Sequence, residues 1–496
     1  MTQTSSLVKP PADAREILLV SMDVDVRHYP YGLYCLDTYV RNKSLELRLE
    51  LRSFTIQDSV ERVSRSIVES GFRMIGFSVY CWNTHKIGKV IHEVASKNKD
   101  CTIIVGGPSS ESLADHDGVA HIVVGSGEEA LYQLLTKRGC PKKLSIPMDP
   151  NERVSPYHTR RYLDIAKESG LVYVETMLGC PFRCSYCSMA GPKSVRLKDL
   201  DILEREIDYL SENGVTHVEF LDPTFNLYGQ RMRSIIDLLK DRNIRFDAEI
   251  EPGCLNEESV DLLLASTAKN LEVGIQSVHN TTNRAIGRSS HIERFVTHLE
   301  RLSKGTPEVT VDTIVGLPGE GLLDWLATIE FLCNTIDANI ATSTLTILPN
   351  TKIMTEVEVF GYKYRPSSRN EITSSASITN SEIDLAKLIG STIEKTWNLL
   401  SREERSALRS VVANEFGGSF SRFWLEIVGP LYSWGCQPRQ SRVMHSLLGE
   451  LLESIARHRR RRSVLRHMTR WITIMRTCRK LRRHWRAQRV GNNVCG

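Results

Sequence analysis

No run of 18 or more apolar residues occurs in the chain, which excludes an ordinary membrane-spanning helix. The first residues, MTQTSSLVKPPADAREILLV, lack a basic region followed by an apolar core and a small-residue cleavage site. A secretory leader is therefore not expected, and a cytoplasmic location is. No internal sequence repeat is evident. Neither GxGxxG nor GxxxxGKS/T follows a candidate strand, which removes the common dinucleotide and P-loop readings. No acid–base triad is evident.

At 496 residues, the chain is too long for one ordinary domain, and two or three are expected. With 41% apolar and 25% charged residues it can bury real cores. Twelve cysteines are many for a reducing compartment. Nine are scattered along the chain, the usual distribution of small buried hydrophobes. The other three, Cys180, Cys184 and Cys187, fall within GCPFRCSYC at 179–187.

Charge is uneven. Residues 457–489 carry fourteen Lys and Arg and no acid. Since the whole chain is only +5, the rest is net acidic. Steps of three and four from Val464 through Met468, Trp471, Met475 and Cys478 to Leu481 and Trp485 put apolar side chains on one helical face.

Hydrophobic patterning divides the chain. Residues 1–14 are read as a disordered lead-in. Over 15–138, apolar runs at 16–22, 45–54, 74–80, 101–107 and 121–125 alternate with amphipathic stretches, which predicts an α/β, doubly wound domain. A Pro- and Lys-rich stretch marks a linker over 139–169. Over 170–378 six strand–helix units predict a partial (β/α)6 TIM barrel, a fold whose chemistry sits in the loops after the strands. Residues 379–456 are read as an α-helical C-terminal region, and 457–496 as a basic amphipathic tail.

The C-x3-C-x2-C trio directly follows the first barrel strand, so it belongs at the active end. A structural zinc site wants four ligands, and neither a second CxxC nor a nearby His supplies the fourth. Unligated cysteines in a turn are the plainest alternative, but Gly179 and Pro181 shape this loop. Thiolates also hold iron–sulfur clusters, ordinarily one per iron. Three thiolates on a four-iron cluster leave one iron open for a substrate.

CxxxCxxC with an aromatic residue, Tyr186, before the last cysteine resembles the signature of the radical S-adenosylmethionine (SAM) enzymes, over about residues 170–350. The resemblance implies a 4Fe-4S cluster on Cys180, Cys184 and Cys187. Its open iron would chelate SAM, which an electron from the cluster would cleave to methionine and a 5′-deoxyadenosyl radical. It also implies SAM contacts from Tyr186, from Asp222 to the methionine amino group, and from Glu251 to the ribose. Gln276 and Ser277 after the fourth strand, and Gly316 in DTIVGLPGE near the adenine, complete that set. The usual first glycine of the last motif is Asp312 here.

In the first domain, YPYGLYCL (29–36), FSVYCWN (77–83), VGGPSS (105–110) and GSGEEAL (125–131) resemble the cobalamin-binding domain fused to one class of these enzymes. The implied cobalamin contacts are Tyr31, Gly32, Tyr80, Trp82, Asn83, Gly106, Gly107, Pro108, Gly125, Gly127 and Glu128. Small residues at the carboxyl ends of a sheet would let a large flat ligand approach the backbone. The DxHxxG of mutase-type domains is absent, because His28 has no Asp two before it and no Gly three after it. A histidine below the cobalt is not expected; Tyr80, Trp82, water or nothing remains.

Together the resemblances imply C-methyl transfer to an unactivated carbon of a natural-product or metabolite intermediate. Non-methylating radical oxidation, cyclisation or rearrangement is an alternative, and a cofactor-binding sensor or electron carrier is another. A small-molecule or peptide substrate and a flavodoxin- or ferredoxin-type electron donor are implied. The tail suits RNA or an acidic peptide, or else packs on the acidic body of the protein.

Overall fold

A computed structural model describes residues 16–433 except 25–27, 44–46, 191–194, 289–291 and 366–368. The expected lead-in, the basic tail and residues 434–456 lie outside the described residues.

Strands β1 (Glu16–Asp23), β2 (Arg48–Thr55), β3 (Met74–Ser78), β4 (Thr102–Gly106), β5 (His121–Val123) and β6 (Lys143–Leu144) form one parallel sheet. Their order is β2-β1-β3-β4-β5-β6. The order reverses between β1 and β3, so the chain leaves them toward opposite faces and a crevice opens at their carboxyl ends. In β1, Ile17 and Leu19 feed one apolar cluster while Leu18, Val20 and Met22 feed the other. Successive side chains point to opposite faces, and both faces are covered, so the strand reads as a continuous apolar run. The stretch 139–169, expected as a linker, contains β6 and the helix Arg160–Ser169.

The second sheet is also parallel. It comprises β7 (Tyr173–Val174), β10 (His217–Phe220), β11 (Arg245–Ile250), β12 (Ala268–Gln276), β13 (Glu308–Val315) and β14 (Asn339–Thr344), in the order β14-β13-β12-β11-β10-β7. A short antiparallel hairpin, β8 (Met177–Leu178) with β9 (Arg196–Leu197), interrupts it after β7. The outer strands β7 and β14 do not pair, so this is an open barrel of six strands. In β13 (EVTVDTIV) every second residue is buried. Val309, Val311 and Val315 join the main core, while Thr310 and Asp312 face the inside of the trough.

Helices Asn380–Thr396, Arg402–Phe416 and Phe420–Ser433 follow. Capping boxes at Thr379 with Glu382 and Ser401 with Glu404 start the first two, each worth about 1 kcal/mol. Trp397, Phe420, Phe423 and Trp424 are fully buried. The outer edge of β14 is closed by side chains. Asn398 accepts from the Ile340 N–H at 2.8 Å and donates to the Ile340 C=O at 3.0 Å, and Glu394 accepts from the Thr342 N–H at 3.1 Å.

The two domains share a tyrosine-rich seam. The Tyr29 and Tyr157 hydroxyls lie 2.6 Å apart, and Tyr157 accepts from the Tyr173 N–H at 2.8 Å. Tyr34 stacks on Tyr162 at 4.0 Å, and Tyr162 donates to Asp37 at 2.5 Å. Tyr29 and Tyr34 thereby belong to the barrel's own core cluster. Each aromatic pair contributes about 0.5–1.5 kcal/mol beyond burial.

Candidate active site

The cysteine loop opens at Gly179, whose φ of +90° only glycine adopts readily. Cys180 is buried, and Cys184 and Cys187 are partly so. A local turn links the last two, with the Cys187 N–H donating to Cys184 O at 3.1 Å. On either side, Ser185 bonds through its backbone to Ile286 and Ile353. Burial pushes the Cys180 and Cys184 thiols up, opposed at Cys184 by the nearby Arg288. Binding a metal centre therefore has to release protons. Among the described residues no three His, Cys, Asp or Glu side chains converge where a single ion would sit. Three thiolates on one loop suit a cluster with one thiolate per corner.

Asp222 is fully buried behind this loop. Its carboxylate accepts from the Thr176 N–H at 2.7 Å, the Thr176 hydroxyl at 2.5 Å and the Met177 N–H at 3.1 Å. That differs from the expected contact to a methionine amino group. The carboxylate is turned to Thr176 and Met177 and braces the strand that leads to Cys180. Arg231 completes the brace, donating to Thr176 O at 3.1 Å and Lys198 O at 2.6 Å across the hairpin.

A residue without a sequence motif organises the rest. Arg288 pairs with Glu251 at 2.6 Å and donates to Gly274 O at 2.7 Å and the Tyr186 hydroxyl at 3.2 Å. It also lies 4.0 Å from the Cys184 sulfur. Burial works against its charge, but Tyr186, Glu251 and Cys184 together hold its pKa above the ordinary value. The preceding Gly287, at φ +75°, packs so closely on the cysteine loop that a Cβ would stand 2.5 Å from Arg183 O. Expected residues Tyr186 and Glu251 thus meet beside Cys184, with Arg288 between them. Gln276 joins them at a bulge in β12, in left-handed backbone at φ +65°. Such strain in a non-glycine residue concentrates at functional sites. Ser277 is turned away, bonding to the buried Glu320. Gly316 lies beneath Ile372 and accepts from the Tyr362 hydroxyl at 3.1 Å.

Below this rim the trough is lined by carboxylates. Glu219 stands opposite Asp247, and Glu249 opposite Glu272, on neighbouring strands. Asp312 pairs with Gly274. Burial and the negative neighbours Glu272 and Glu219 push Glu249 up to about 7. Burial, then Glu272 and Glu249, push Asp312 up to about 9.

In the first domain a cavity of about 230 Å³ opens at the carboxyl end of the sheet. Gly32, Tyr80, Gly106, Gly107, Pro108, Gly125, Gly127 and Glu128, all expected, line it. Gly107 is at φ +99°, and a Cβ there would stand 2.7 Å from Val79 O. Three expected contacts lie elsewhere. Tyr31 packs in the interdomain seam against Tyr157 and Tyr173. Trp82 stacks on the back of Tyr80 at 4.4 Å. Asn83 spends its amide on backbone: it accepts from Tyr80 N–H and donates to Met22 O and Ser78 O, closing the loop after β3. Arg153, unmarked in the sequence, also lines the cavity.

A switch-point crevice walled by glycine, joined to an open barrel that begins with a three-cysteine loop, defines a class. Residues 17–135 match the model of the B12 binding domain and residues 174–332 that of the Radical SAM superfamily. The chain carries both domains of the cobalamin-dependent radical SAM enzymes, and with them the sites of a 4Fe-4S cluster, SAM and cobalamin.

Among solved structures, OxsB, a cobalamin-dependent S-adenosylmethionine radical enzyme with aqua-cobalamin and S-adenosylmethionine bound, superposes with a TM-score of 0.63. That match has 17% identity and covers 98% of this chain and 82% of OxsB. The radical S-adenosylmethionine methyltransferase TsrM from Kitasatospora setae gives 0.55 at 18% identity, over 69% of this chain and 76% of TsrM. At these identities the likeness is one of fold. In sequence, the chain is similar to a tRNA-2-methylthio-N(6)-dimethylallyladenosine synthase of Syntrophobacter fumaroxidans, 28% identical over 37% of this chain and 43% of that protein. It is also similar to the threonylcarbamoyladenosine tRNA methylthiotransferase MtaB of Thermotoga maritima, 24% identical over 50% of this chain and 59% of that one. The chain spans about half the length of the curated relatives it matches.

Proposed function

We propose that the protein is a methyltransferase that activates an unactivated carbon by radical chemistry and methylates it from cobalamin. The observation that carries this reading is the pairing, in one chain, of the three-cysteine loop with the glycine-walled crevice. Bound there, the cluster would supply the electron for reductive cleavage of SAM, and cobalamin would supply the methyl group. Cys180, Cys184 and Cys187 hold the cluster. Arg288, Glu251 and Tyr186 form a charged, hydrogen-bonding rim beside Cys184 that suits the polar ends of SAM. Gly106, Gly107, Gly125 and Gly127 give a corrinoid arm a close approach to backbone. The trough inside β10–β13 receives the substrate, a small molecule or peptide. A flavodoxin- or ferredoxin-type protein supplies electrons, and the basic composition of residues 457–489 suits RNA or an acidic peptide.

The test is anaerobic reconstitution with iron, sulfide and hydroxocobalamin, followed by product analysis. Deoxyadenosine together with S-adenosylhomocysteine and a methylated product supports methyl transfer. Deoxyadenosine without S-adenosylhomocysteine redirects the reading to oxidation, cyclisation or rearrangement. No deoxyadenosine with any reductant overturns it in favour of a sensor or carrier.

A further inference from the structure

Arg153 sits in the connection between the domains and touches both. Its guanidinium pairs with Glu128 at 2.7 Å on the wall of the glycine-lined cavity, and with Glu175 at the start of the barrel. Ser126, in the same cavity wall, lies 3.5 Å from it. Glu128 opens the helix Glu128–Thr136 and is only 2% exposed. One of its carboxylate oxygens has no hydrogen-bond partner, and neither has the Arg153 Nε that faces the other oxygen, so the pair is held by charge alone. Glu175 lies five residues before Cys180, next to the Thr176–Met177 pair that Asp222 clamps. Charge pairs thus run from the cavity wall to Glu175, and the chain itself joins Glu175 to the Asp222-clamped pair at the base of the cysteine loop.

A buried carboxylate oxygen without a partner is costly unless a ligand satisfies it. Cobalamin's ring carries amide side arms, whose N–H groups suit a carboxylate acceptor. We propose that Arg153 is a positioning residue that makes cobalamin binding and the geometry of the cysteine loop interdependent. It holds Glu128 so that the free oxygen receives a corrinoid amide, and it is itself held by Glu175. This rests on the reading that the cavity takes an arm of cobalamin. A guanidinium with two carboxylate partners has a fixed fork, so a shift of Glu128 on binding is passed to Glu175. By linkage, an occupied cluster site then strengthens cobalamin binding by the same factor as the reverse.

The full-length chain tests this. Hydroxocobalamin is titrated by absorbance into protein with and without the reconstituted cluster, and the reduced cluster's electron paramagnetic resonance is recorded with and without cobalamin. In the unmodified chain, cluster loading raises cobalamin affinity by about fivefold or more, and cobalamin shifts the resonance. In Glu175→Gln, cobalamin still binds, but the affinity ratio falls to about one and the shift disappears. Arg153→Met weakens cobalamin binding by about tenfold or more, and Arg153→Lys restores part of it. Retention of both the ratio and the shift in Glu175→Gln overturns the proposal, as does unaltered binding in Arg153→Met. Should Arg153→Met fail to fold by circular dichroism, Glu175→Gln decides alone. If the unmodified chain binds no cobalamin, the reading of the cavity fails and the proposal with it. Binding without coupling overturns only the proposal.

Discussion

The two parallel sheets are built from the same strand–helix alternation but treat their faces differently. In the first domain β1 and β3 are buried on both sides, and what the sheet offers a ligand is its carboxyl end, where glycine has replaced side chains. In the barrel, β11 and β13 alternate, and one whole face is left to a trough of carboxylates with a cationic rim. One site is shaped by removing atoms and the other by placing charges. A steric lesion should therefore hurt the first most, and an electrostatic or ligand lesion the second.

Substitutions sharpen this contrast. The largest effect is expected for alanine at Cys180, Cys184 or Cys187. Labile sulfide should vanish and deoxyadenosine formation fall to background, while cobalamin still binds; retained sulfide in all three would break the barrel half of the comparison. Arg288→Met follows. With the charge between Tyr186, Glu251 and Cys184 gone, deoxyadenosine formation should drop by about a hundredfold, as misplaced reactants do. Iron content should change little, which iron analysis checks. Third, Gly107→Val forces a side chain onto Val79 O in left-handed backbone, costing about 1–3 kcal/mol and cobalamin binding together. Gly139→Ala, also at positive φ but with open space around it, should leave cobalamin titrations unchanged.

The smallest effect concerns pH. Glu249 and Asp312 keep their protons in the folded protein up to about 7 and about 9, whereas the unfolded chain releases them near the ordinary carboxylate values. The folded state binds more protons across that window, so these groups lower stability as pH rises from about 4 to 9. Asp312→Asn removes the penalty. Its melting temperature should rise by about 2–4 °C at pH 9, the effect of about 1 kcal/mol, and match the unmodified chain near pH 4. An equal rise at both values would show that repulsion in the trough is not the cause.

What could be read before the structure was what lies close along the chain. The cysteine spacing, the glycine clusters and the alternation of EVTVDTIV are local, and each maps onto its element. Asp222 and Asn83 lie in the loops after β10 and β3, but sequence does not say which neighbours satisfy a polar side chain. Asp222 is spent on Thr176 and Met177, and Asn83 on backbone. Arg288 and Arg153 were missed because their partners are distant: Arg288 and Cys184 are 104 positions apart. The only local hint is an arginine directly after Gly287. The bulge that turns Gln276 depends on the register of β12 against β13, which no single strand encodes.

The Asn398 and Glu394 contacts to β14 bear on how an incomplete barrel survives in a crowded cell. A bare outer strand offers its amides and carbonyls to any extended peptide, another copy of the chain included. Here a helix-borne amide and carboxylate stand in for the missing neighbour at Ile340 and Thr342, which blunts that rim as a template for runaway self-assembly.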